Sequence, residues 1–153
     1  MVGRALKRER MTKLAPYLTL SGALPFVACA ACLVIGVTNV PLFGNVQTLL
    51  ASYAIVILSF MSGVHWGQHL HIDATAGQRL ALMSNVITLS GWFAYLLAPF
   101  GVTVITCAIG FILLLMIDMR LRTSGHLTAS YLGLRVIVTG IVVLSLAVAV
   151  IWA

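Results

Sequence analysis

Hydrophobic positions in this chain run in long unbroken stretches rather than in alternation. No Asp, Glu, Lys or Arg occurs between Leu14 and Ile72, between Leu80 and Ile117, or between Val136 and Ala153. A helix needs about 20 apolar residues, within a range of ~17–25, to cross the hydrocarbon core of a bilayer. The first stretch therefore holds two crossings and a loop. The second holds two crossings with almost no loop, and the third holds one. The pattern predicts an all-α, polytopic membrane protein: a bundle of five transmembrane helices over residues 14–37, 46–66, 80–98, 101–118 and 131–152. Residues 1–13 form a basic tail, and residues 14–153 a single transmembrane domain.

Turn residues punctuate these spans. Pro16 fits a first helical turn, whereas Pro25 is expected to kink the middle of span one, because proline lacks a backbone donor and clashes one turn back. The loop TNVPLFGN (38–45) combines Asn, Pro and Gly. Pro99-Phe100-Gly101 predicts a tight hairpin between spans three and four. The stretches HIDATAGQR (71–79) and MRLRTSGHLTAS (119–130) are polar linkers.

Composition agrees with lipid as the surrounding solvent. The chain is 61% hydrophobic and 8% charged, against about 25% charged in average globular chains. Its net charge of +6 is not a nucleic-acid signature, since five of the nine basic residues (Arg4, Lys7, Arg8, Arg10, Lys13) sit in the tail rather than along a folded face. Numbering the sides by alternation places every Lys and Arg on the side of the N-terminus. By the positive-inside rule that side is cytoplasmic, which puts the N-terminus inside and the C-terminus outside. The apolar core of span one is too long for a cleaved signal peptide. A bacterial inner membrane is the expected location, with an organellar inner membrane as the alternative; the bilayer itself is the first expected partner.

Candidate chemistry is sparse. Cys29 and Cys32 share a helix face in span one, and Cys107 lies in span four. Small apolar packing residues explain them better than a redox or metal site, because burial in a membrane works against forming a thiolate. His65 and His69 are spaced i, i+4 and are weak metal candidates, with no second such pair to close a coordination shell. No cofactor is expected. His69 and His71 read as the wet end of a helix, whereas His65 lies just within the inner boundary of span two, where an imidazole needs a partner. At the same level stand Asn85 in span three, Asp118 closing span four, and Tyr131 and Arg135 in the first turns of span five. Asp118 has two plausible basic partners: Arg122 on its own helix, or Arg135 across helices. These residues form the expected polar cluster facing the cytoplasm. Ser59, Gly63 and Gly67 form a small-residue stripe nearly opposite His65, which is expected to mediate close helix packing.

Phe60, then Ser62-Gly63-Val64-His65-Trp66-Gly67, then an Asp closing a later span, then Tyr131-x-x-Leu134-Arg135, resembles a family of small bacterial integral membrane proteins known as a domain of unknown function. A mitochondrial inner-membrane protein is similar. The resemblance spans nearly the whole chain, and the G-V-H-W-G stretch is its most specific part. It implies the five-span architecture and a shared polar set of His65, Asp118 and Arg135, but no reaction.

Three function classes fit these features. The first is a non-enzymatic accessory or structural membrane protein. The second is a small transporter or proton-coupled permease. The third is a haem- or metal-binding redox protein using His65. An odd number of spans argues against an inverted-repeat transporter within one chain, an objection that a homo-oligomer or a membrane-protein partner would lift. Glutamate is absent beyond Glu9 and no serine–histidine–acid motif stands out, which disfavours a hydrolase.

Overall fold

The computed structural model of the 153-residue chain describes residues 16–69, 74–123 and 129–153. The N-terminal tail, His71, Asp73 and His126 lie outside the described residues. Five long helices follow one another: α1 (Pro16–Val34), α2 (Val46–Gln68), α3 (Ala74–Leu97), α4 (Phe100–Thr123) and α5 (Ala129–Trp152). Each is long and apolar enough to cross a membrane. The helices α3 and α4 extend beyond the apolar stretches at their polar ends. Backbone hydrogen bonding continues there through residues such as Gln78, Arg79, Arg120 and Arg122, whose side chains disfavour lipid without disfavouring a helix.

The kink expected at Pro25 takes the form of a break and restart. α1 is interrupted at residues 22–23 and resumes as Leu24–Val34, with Pro25 in its first turn, where a missing N–H costs nothing. The Tyr53 hydroxyl of α2 donates to the Gly22 carbonyl at the break, at 3.0 Å. At the far end of α1, Gly36 takes a left-handed conformation (φ 78°) and ends the helix with paired bonds, Gly36 N–H to Leu33 O and Val37 N–H to Cys32 O. The loop that follows contains a two-residue hairpin, β1 (Asn39–Val40) against β2 (Gly44–Asn45). Asn45 then caps α2 by accepting the Thr48 N–H at 3.1 Å. Between α3 and α4 the Thr103 hydroxyl donates to the Ala94 carbonyl at 2.9 Å and closes the Pro99 hairpin.

The helices close into a ring in chain order. Each packs on its sequence neighbours, α5 returns to α1, and α2 meets α4 across the middle. Phe26, Leu50, Leu58, Leu114 and Leu146 fill the interior, with Phe26 edge-on to Tyr53 and Phe111. Val56, Phe60, Leu89, Ile109 and Leu144 lie exposed on the outside, the arrangement lipid requires and water penalises. The protein is a multi-pass membrane protein.

Close helix contact does not use the small-residue stripe of α2. A methyl group added at Gly63 or Gly67 would meet nothing within 4 Å, and both glycines are exposed. Within the core the close contact sits instead at Gly91 of α3 and Gly110 of α4. There an added Cβ would come within 3.0 Å and 2.9 Å of the Leu58 side chain. Leu58 and His65 are seven residues apart and so share a face of α2. That bulky face is the one turned inward, which leaves the glycine face outside.

Candidate functional site

Three helices bring one ionisable side chain each to a single buried point. His65 lies near the end of α2, Asp118 in the last turns of α4, and Arg135 two turns into α5; all three are at least 97% buried. Asp118 is the hub. Its Oδ1 meets His65 Nε2 at 2.9 Å, and its Oδ2 accepts from Arg135 Nε at 2.7 Å. The other ring nitrogen of His65 lies 3.0 Å from the Met61 carbonyl, one turn back on its own helix. Arg135 Nη1 contacts the Met61 sulfur at 2.7 Å, while Nη2 is buried with no hydrogen-bond partner.

Met61 offers His65 a carbonyl oxygen and Asp118 offers a carboxylate oxygen, both acceptors. A neutral ring carries one N–H, so which of the two it donates to is set by its tautomer.

The other residues proposed for this cluster fall in three places. Tyr131 is half-buried one turn before Arg135 and lies within electrostatic reach of both Asp118 and Arg135. Arg122 stays exposed at the end of α4, so the partner of Asp118 is Arg135. Asn85 departs from the expected grouping. It is exposed on α3 and lines a separate shallow notch of about 250 Å³ between α2 and α3, with Ser59, Ser62, Gly63, Trp66 and Thr88. A shared depth in the membrane does not fix the helix face, and this face looks outward. Within the notch Ser62 Oγ is buried without a partner, whereas Ser84 Oγ donates to the Leu80 carbonyl at 2.8 Å.

Both nitrogens of His65 are engaged, and the His69 ring is bonded to the Trp66 carbonyl. No group of three His, Cys, Asp or Glu side chains converges among the described residues. Met61 is the participant that residue type did not reveal. Its carbonyl and sulfur bind two members of the triad, and only its position four residues before His65 pointed to it.

The family described as "Protein of unknown function (DUF3429)" matches residues 11–151. The chain belongs to this family. The match takes in the first four helices, all but the last residue of α5, and every residue of the triad and the notch, in line with the resemblance carried by the G-V-H-W-G stretch. No curated protein and no solved structure matches the chain.

Proposed function

We propose that this protein is a non-enzymatic accessory or structural component of a bacterial inner membrane, with His65, Asp118 and Arg135 as a lock at the cytoplasmic end of the bundle. The observation that carries the reading is the closure of Asp118. Both of its oxygens are taken, by side chains from two other helices, and the carboxylate is fully buried. These bonds tie α2, α4 and α5 together at one buried point. An accessory role also implies a contact with another membrane chain. The α2–α3 notch supports a second copy in that place, because Asn85 has both a donor and an acceptor to offer its own counterpart, beside glycines that admit a close helix.

The test is a proton-flux measurement with the purified protein in liposomes carrying an internal pH dye. We expect no flux above that of protein-free liposomes under a pH gradient, and a lower unfolding temperature for Asp118→Asn. A wild-type flux abolished by Asp118→Asn would replace this reading with proton-coupled transport. For the contact, Gly63→Cys should form cross-linked dimers on oxidation of native membranes. Monomer alone would remove the second copy from the notch.

A further inference from the structure

Between α1, α2 and α5, in the same half of the bundle as the triad, lies a cavity of about 390 Å³. Its walls are almost wholly apolar, with Ile57, Phe111, Val138 and Val142 among them, and Arg135 is the one charged residue lining it. Leu18 and Phe60, both largely exposed, also line the cavity, so its mouth opens on the lipid-facing surface. The volume falls within the range of about 300–1,000 Å³ typical of small-molecule sites, which combine apolar walls with very few polar groups.

Arg135 is the cation of a lining whose other polar side chains are the hydroxyls of Thr19 and Thr139. Nε and Nη1 are committed to Asp118 and Met61, and Nη2 has no partner although it is buried. An unsatisfied buried donor carries a desolvation cost that a ligand oxygen would remove, and the cost is larger for a charged group. Nη2 belongs to a guanidinium, which is always charged, so an anionic oxygen makes a stronger, charge-assisted bond there than a neutral one. We propose that this cavity binds a membrane-dissolved amphiphile with an anionic oxygen head, a carboxylate or a phosphate, placed on Arg135 Nη2 with its chain along the apolar wall. This site is distinct from the α2–α3 notch and does not depend on the accessory role.

Binding of radiolabelled myristate to the full-length protein in a neutral maltoside detergent tests the proposal, with myristyl alcohol as a competitor of the same chain length. Saturable binding near one per chain is expected. Myristyl alcohol should compete at least about ten-fold more weakly, the scale set by one charge-assisted hydrogen bond. Val138→Phe narrows the cavity while leaving His65, Asp118 and Arg135 unsubstituted, and should abolish binding while the protein remains monodisperse. Arg135→Lys keeps a cation beside Asp118 but removes Nη2, and should weaken myristate more than myristyl alcohol. Equal competition by the alcohol, no saturable binding, or full binding by Val138→Phe would each overturn the site. Displacement of myristate by phosphatidylglycerol would identify the natural head as a phosphate, and indifference to it as a free carboxylate. Either outcome upholds the anionic site.

Discussion

Asp118 is the residue on which the polar interior depends. Removing one member of a buried ion pair leaves the other charge uncompensated, at a cost of about 3–5 kcal/mol, whereas replacing the set by apolar groups of similar volume is often neutral or favourable. Asp118→Leu should therefore destabilise the protein by about 3–5 kcal/mol. The triple replacement His65→Leu, Asp118→Leu, Arg135→Met should recover most of that loss. Reversible unfolding in mixed detergent micelles measures both. A triple variant as unstable as the single one would show that the triad stabilises by more than charge compensation. Tyr53 makes a smaller contribution. Tyr53→Phe keeps the ring against Phe26 and removes only the bond to Gly22, so a loss of about 0.5–1.5 kcal/mol is expected in the same assay.

At the scale of the element, glycines divide by what surrounds them. Gly63 and Gly67 have open space, and alanine is the better helix former by about 0.5–1 kcal/mol. Gly63→Ala and Gly67→Ala should leave the isolated chain as stable as before or slightly more so. Gly77 is the opposite case. An added Cβ there would lie 2.7 Å from the backbone oxygen of His69, which cannot move without displacing the end of α2. Gly77→Ala should be the most damaging of the three, and unfolding temperatures will rank them. Gly110→Ala presses on the Leu58 side chain instead and should cost about 1–3 kcal/mol, as overpacking does. Leu58→Val should relieve part of that cost, a coupling that a double-mutant cycle detects.

For the molecule as a whole, orientation is the property that remains open to a direct test. We propose from the charge asymmetry that the tail, Arg79, Arg120, Arg122 and Arg135 share one side of the five crossings; with an odd number of crossings, the two ends of the helical domain then face opposite sides. A reporter active only outside the cytoplasm, fused after Ala153, should be active. Activity instead from a reporter that works only in the cytoplasm would invert the topology and move the triad to the outer leaflet.

Two kinds of information shaped this protein, and they separate cleanly by physical origin. Chain-local chemistry was legible in the sequence. Twenty or so apolar residues between charges specify a membrane helix because the bilayer core accepts no unsatisfied backbone, and Pro, Gly and Asn mark the places where helices stop. The need of His65, Asp118 and Arg135 for partners also followed from their depth alone. Tertiary structure decided which partners they found. Residues at one depth can face any direction around a helix axis, and rotation of each helix is fixed by packing, here by Leu58 wedged between Gly91 and Gly110. That rotation turned His65 inward to Asp118, carried Asn85 and the Ser59–Gly63–Gly67 stripe outward, and chose Arg135 over Arg122. It also brought Arg135 to the wall of a largely apolar cavity, a juxtaposition made by residues up to 124 positions apart, from Leu18 to Val142, that no local pattern encodes.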